Sequence, residues 1–444
     1  MTSQIVDVPP PPPPPSSDNV EPHGDRPQDI EEEKIDPVPP VRQDAFGDEE
    51  FAEVKYKVLK WWQGGLLMVA ETISLGILSL PAAVAKLGLA PAIVILLVMG
   101  LFASYTGYVI GQFKWRYPHI TSMADAGEVL MGRFGRELLG FGQLLFLVFL
   151  MASHVLTFSV AMNTLTDHAT CSILFGIVGM ILSFLLSLPR TLEKMSWLSL
   201  VFENPKALIE PTVETSLVTA FTSASNIILS FASHNTFFTF IAELRDPKDF
   251  TKSLALLQII DISLYLTAAV VIYCYAGKDV VAPALGSASP LVSKIAYGVA
   301  LPTIIIAGVI NSHVASKAIY LRIFAGTDRI HKRDMVAVSS WIAIALVLWI
   351  LAWIIATAIP VFSNLLALIT ALFASWFTFG LPGAFWLYMN QGLWFSSPRK
   401  VFLTVLNTIS IGIGIILCGL GLYASGSAIH DDPSSRSFSC ANNA

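Results

Sequence analysis

Charge and cysteine are what this 444-residue chain has least of. Only 13% of its residues are charged, against roughly 25% in an average soluble domain. That excludes an ordinary cytosolic enzyme, a disordered hub and a coiled coil. The four cysteines, Cys171, Cys274, Cys418 and Cys440, show neither metal-ligand spacing nor a disulfide framework. Redox chemistry and structural zinc are therefore not expected, and neither a metal nor a cofactor is assigned. The first residues lack the basic, apolar and small-residue regions of a signal peptide, so the first span is expected to act as its own targeting signal. The net charge of −5 comes largely from an acidic N-terminal stretch and gives no reason to expect nucleic acid.

Apolar residues make up 54% of the chain. They fall in blocks long enough for a helix to cross a hydrocarbon core of about 30 Å. Ten spans are expected, at roughly 64–86, 90–112, 138–163, 171–188, 216–241, 253–276, 295–323, 335–360, 362–389 and 401–425. The chain reads as an all-α polytopic membrane protein with a transmembrane domain over 54–425 and the lipid bilayer as its surroundings. Residues 1–53 hold the proline run Pro9 to Pro15 and an acidic stretch around Glu31 to Asp36. Such a segment buries too little apolar surface to fold, so a disordered cytosolic tail open to trafficking or regulatory partners is expected. The serine-rich end, 426–444, is read as a second solvated tail.

The positive-inside rule places the N-terminus in the cytosol with Lys55, Lys57 and Lys60. Arg116, Arg133 and Arg136 follow on the same side, then Arg190 and Lys194. The next clusters, around Arg245 and Lys248 and around Arg322, share that side only if the chain crosses once more between Leu188 and Ser216. That stretch carries Glu203, Lys206, Glu210 and Glu214, and each charge at a bilayer centre costs about 3 kcal/mol on insertion scales. The expectation is that one helix, due to begin near Ser196, is missing, which would invert everything downstream.

Two spans carry polar and small residues at mid-membrane depth. The first holds Glu71, Thr72, Ser74, Gly76 and Pro81, and the fifth holds Ser230, Ser233, His234, Asn235 and Thr236. Such groups are expensive in lipid unless they face protein or a water-filled site. A pair of interrupted helices at matching positions points to a transporter site. Breaks free amides for a carboxylate and carbonyls for a cation or ammonium, so a zwitterionic amino acid fits.

Three motifs together resemble the amino acid/auxin permease family, and most closely its fungal neutral amino acid permeases. These are Glu71 to Pro81, Phe231 to Phe238 followed by Glu243 to Pro247, and Gly308 to Phe324. The resemblance implies a leucine-transporter-like fold of two inverted five-helix repeats plus one helix. Eleven helices are expected and ten are visible, the fifth being absent. It also implies import of neutral amino acids by proton symport, in the plasma membrane or alternatively the vacuolar membrane. By position, the first break falls at Ile73, Ser74, Leu75 and Gly76, next to Thr72, with amides for the substrate carboxylate. The second falls at Ser230, Phe231, Ala232 and Ser233, with carbonyls for the ammonium and Phe231 closing over the side chain.

Proton coupling needs a titratable group near the breaks. Glu71 leads, with His234 as its partner, and Asp261 ranks lower because nothing in the sequence places it at a break. Asn311 and Ser312 are candidates for the cation side. His154 and His313 are read as hydrogen-bonded packing residues, and Lys317 as a residue snorkelling to the cytosolic face. An amino acid sensor signalling through its tails and a non-transporting variant lacking a helix are the competing readings. No catalytic constellation supports an enzyme.

Overall fold

The computed structural model describes residues 56–188, 210–327, 330, 332, 334–431 and 437–443. The N-terminal tail, 1–53, lies outside the described residues, as does most of the stretch where the missing helix was expected. Among the described residues the structure is all helical apart from one isolated backbone bridge. The helices are α1 (Trp61–Leu87), α2 (Leu89–Arg116), α3 (Met123–Thr166), α4 (Ser172–Leu186), α5 (Leu217–Leu229), α6 (Phe237–Glu243), α7 (Phe250–Ala276), α8 (Pro290–Ile323) and α9 (Met335–Ala358). They are followed by α10 (Phe362–Ile369), a π-helical stretch (Thr370–Gly380), α11 (Leu381–Met389) and α12 (Pro398–Asp431). Among the described residues eight helical bodies are long and apolar enough to span a membrane, and α4 and α5 are shorter apolar helices.

Small residues set how closely these helices approach, since in lipid the association is driven by packing rather than by burial from water. On α2, a Cβ at Gly100 would sit 2.8 Å from Ile262 of α7, and one at Gly107 would sit 2.9 Å from Phe237 of α6. On α1, a Cβ at Gly76 would lie 2.6 Å from the Tyr265 ring. α3 starts earlier than the hydropathy suggests. Ser122 and Asp125 form its capping box, and Gly132, at φ 64°, kinks it before the apolar run begins.

The orientation of the second half corrects the expected inversion. Leu59, just before α1, pairs with Leu244, just after α6: Leu59 N donates to Glu243 O at 3.1 Å and Arg245 N to Leu59 O at 2.9 Å. Trp115 Nε1 donates to Pro247 O at 2.9 Å, and Arg322 pairs with Glu137. Arg116, Arg136, Arg245, Lys248 and Arg322 thus share one end of the bundle. Glu210 sits at the other end, bonded to Leu89 and to Tyr273 of α7. The second half thus keeps the orientation of the first, and the connection between Leu188 and Glu210, residues 189–209, lies outside the described residues.

The cysteine reading and the C-terminal reading are corrected together. Cys171, at the start of α4, is disulfide-bonded to Cys440. α12 runs to Asp431, and residues 437–443 pack along the end of the bundle opposite the basic clusters. Phe438 N donates to Thr357 O at 2.9 Å, and Ser172 Oγ donates to Ala441 O at 2.5 Å. A pair 269 residues apart carries no spacing signal, because only the fold brings it together.

Candidate substrate and coupling site

The fifth span is interrupted as expected. α5 ends at Leu229, α6 begins at Phe237, and the intervening residues hold only turn-like bonds, including Phe231 N to Ile228 O at 3.1 Å and Thr236 N to Ser233 O at 3.1 Å. Ser230 to Thr236 are all buried. Neighbouring helices take up several of the freed groups. Gln143 of α3 donates Nε2 to Asn235 O at 2.5 Å. His234 Nε2 donates to Ala103 O of α2 at 2.9 Å and lies 3.0 Å from Thr106 Oγ1. Ser230 Oγ donates to Asn226 O at 3.1 Å, while the Ser233 hydroxyl has no partner among the described residues. Phe231 meets Tyr265 of α7 edge-on at 5.4 Å, and Ala232 is buried beside it.

The first span is not interrupted. α1 is one continuous helix from Trp61 to Leu87 that carries Pro81 within it. The amides of Ile73, Ser74, Leu75 and Gly76 therefore lie within the helix, and the expected first break is absent. Gly76 serves close approach instead, because the Tyr265 ring occupies the place of its Cβ. Thr72 returns its hydroxyl to Met68 O and Val69 O, both at 3.2 Å. Leu75 is buried among apolar side chains. Ile73 and Ser74 line an apolar groove of about 430 Å³ between α1, α7 and α8, and the Ser74 hydroxyl is without a partner among the described residues.

Glu71 is brought to the interruption as its sequence position suggests. Thr236 Oγ1 donates to Glu71 Oε2 at 2.9 Å, and Oε1 has no partner among the described residues. His234 is held by α2. Asn311 turns Nδ2 to Ala307 O at 3.0 Å, leaving its Oδ1 and the Ser312 hydroxyl buried on α8 without a hydrogen bond among the described residues. His154 is buried beneath Gly308 with neither ring nitrogen bonded among the described residues, so the expected partner is not there. His313 packs edge-on against Trp341 at 5.2 Å.

Lys317 does not snorkel. It is 4% exposed and pairs with Glu243 of α6 at 2.7 Å, with the Tyr56 ring 4.3 Å away. This joins α6, α8 and the residues preceding α1 at the basic end, beside a cavity of about 420 Å³ whose lining mixes Asp125, Arg136, Gln143 and Arg322 with apolar residues such as Leu144 and Ile319. The distance between Glu243 and Lys317 in sequence hid this contact.

Sequence reasoning ranked Asp261 below Glu71 and passed over Gln258 and Tyr265, which share its helix face. Their spacing of three and four puts all three on one face of α7, and all are buried. A polar stripe on an otherwise apolar span was the available signal.

Comparison with known proteins agrees with this architecture. The family described as transmembrane amino acid transporter protein matches residues 57–203 and 201–426. The chain is similar to the N amino acid transport system protein of Neurospora crassa, 35% identical over 419 residues, covering 87% of this chain and 89% of the relative. It is also similar to a transmembrane transporter of Gibberella moniliformis, 28% identical over 397 residues (83% and 82%), and to one of Fusarium pseudograminearum, 27% identical over 362 residues (76% of each). These are transporters and not enzymes, and with most of its length matched the chain belongs to the transmembrane amino acid transporter family.

Proposed function

We propose that the protein is a secondary active importer of neutral amino acids driven by protons. The observation that carries the reading is the interrupted helix at Ser230 to Thr236. It is buried in an apolar bundle, and polar atoms on it and on Glu71 bonded to it have no partners among the described residues: Glu71 Oε1, the Ser233 hydroxyl and the Asn235 amide. Buried polar groups of natural proteins are satisfied in nearly all cases, so a cluster of exceptions fits groups kept for a ligand. On this reading the carbonyls near Ser230 to Ser233 meet the ammonium, and α1 at Thr72 to Gly76 forms the facing wall. Asn311 and Ser312 lie toward the cation side, and Glu71 takes the coupling proton with His234 positioned nearby. The similar Neurospora crassa protein is named for amino acid transport, which supports the substrate class.

The N-terminus is cytosolic on this reading, since the basic residues gather at that end and the disulfide lies at the other. Disulfides persist in oxidising compartments. The plasma membrane is the proposed location, with the vacuolar membrane as the alternative, and the N-terminal tail is proposed to serve trafficking or regulatory partners.

A non-transporting variant is the second reading. Two observations favour it. The family match comes in two pieces that meet at 201–203, and an open apolar groove runs along α1, α7 and α8. Radiolabelled amino acid uptake by transport-deficient cells expressing the wild-type chain separates the two readings. The importer reading further expects Gly76→Val, which drives a branched side chain into Tyr265, to abolish substrate binding. Unchanged apparent affinity would count against α1 as the facing wall.

A further inference from the structure

Asp261 is 1% exposed, and neither of its carboxylate oxygens has a hydrogen-bond partner among the described residues. The packing of α1 on α7, with Gly64 against Ser253 and Gly76 against Tyr265, keeps one register along both helices and sets Asp261 level with Thr72, beside Glu71. Four residues further along α7, the Tyr265 hydroxyl is also buried and unpartnered, against the backbone of Gly76. Two carboxylates and a phenol thus converge where α1 packs on α7.

Among the described residues no cation is recorded against them. From α7 the neighbours are Gln258 and Tyr265, and from the interruption Thr236, with His234 turned to α2. α8 sends Lys317 to Glu243 and His313 against Trp341. α2 sends Tyr105 to Asn407 and Lys114 to the carbonyls of Pro118 and Ile120. α5 carries no ionisable side chain. Two like charges in a low-dielectric interior repel strongly, and one bound proton removes the repulsion.

We propose that Glu71 and Asp261 form a single coupling site that holds one proton between them. This rests on the transporter reading and deepens it. Binding takes the pair from two negative charges to one, with the proton arriving from the outer solution and leaving to the cytosol. Two contacts tie the pair to the interrupted helix: Thr236 donates to Glu71 at 2.9 Å, and Phe231 stands edge-on to Tyr265 at 5.4 Å. Loss or gain of the proton therefore acts on the same residues that would hold the substrate.

The test uses the full chain in proteoliposomes. Counterflow of a labelled neutral amino acid at equal pH reports transport alone, and accumulation under an inward proton gradient reports coupling. For Asp261→Asn, an accumulation ratio falling to one while counterflow stays measurable is expected, with Asp261→Glu restoring accumulation. Wild-type accumulation by Asp261→Asn, or accumulation that follows sodium instead of protons, overturns the pair. Absent counterflow in the wild type overturns the transporter reading instead. Should Asp261→Asn fail to fold, infrared difference spectra of wild-type protein labelled with carbon-13 aspartate decide the matter. A label-sensitive protonated-carboxyl band that responds to substrate supports the pair, and its absence overturns it.

Discussion

Thr236 and Glu71, 165 residues apart, share a hydrogen bond of 2.9 Å in the interior of the bundle. It is the direct polar link between the continuous α1 and the stretch that separates α5 from α6. Thr236 Oγ1 also lies 2.7 Å from Ser233 O, so its one proton is shared between the carbonyl of the turn and the carboxyl.

Replacing Thr236 by valine keeps the shape and removes the donor. Leaving a buried carboxyl group without its partner costs about 1–3 kcal/mol. A lower midpoint in thermal unfolding of the detergent-purified protein is expected, together with a shifted pH profile of uptake. An unchanged melting curve and profile would show that the link carries neither stability nor coupling.

The Lys317–Glu243 pair invites a paired test. Lys317→Met leaves the partly buried Glu243 without its cation, and the expected cost lies below the roughly 3–5 kcal/mol of a fully buried pair. Adding Glu243→Gln removes the stranded charge, so the double variant is expected to recover much of the loss. Because the pair joins α6 to α8, the single variant should also speed maleimide labelling of a cysteine placed at Thr239 in the neighbouring cavity. Equal stability of single and double variants would mean that the pair is decoupled from packing.

Topology is open to direct labelling. A cysteine introduced at Lys248 is expected to be shielded from an impermeant maleimide in intact cells. Cys440 should become reactive from outside only after an impermeant reductant opens its bond with Cys171. Labelling of the Lys248 position from outside would reverse the orientation of the second half.

The spans were legible in the sequence because continuous apolar runs leave few alternatives in lipid. The interruption at Ser230 to Thr236 was legible for the same reason, since polar residues there have no other tolerable place. The break that the residues suggested at Ile73 to Gly76 is absent, because α1 is continuous there. Glycine and proline permit a break without requiring one, and Gly76 is used to admit the Tyr265 ring. Asp261 was visible as a lone charge, yet its nearness to Glu71 depends on the register between α1 and α7. The Cys171–Cys440 and Glu243–Lys317 pairs follow from tertiary packing alone and leave no local trace.

Whether this chain moves amino acids is settled most directly by uptake of a panel of radiolabelled amino acids into transport-deficient cells with verified surface expression, at acidic and neutral pH, with and without a protonophore. Saturable uptake of neutral amino acids that rises in acid and collapses with the protonophore is the predicted result. Absence of uptake, restored by a family-like helix inserted after Leu200, would contradict it and identify the chain as a non-transporting member of its family.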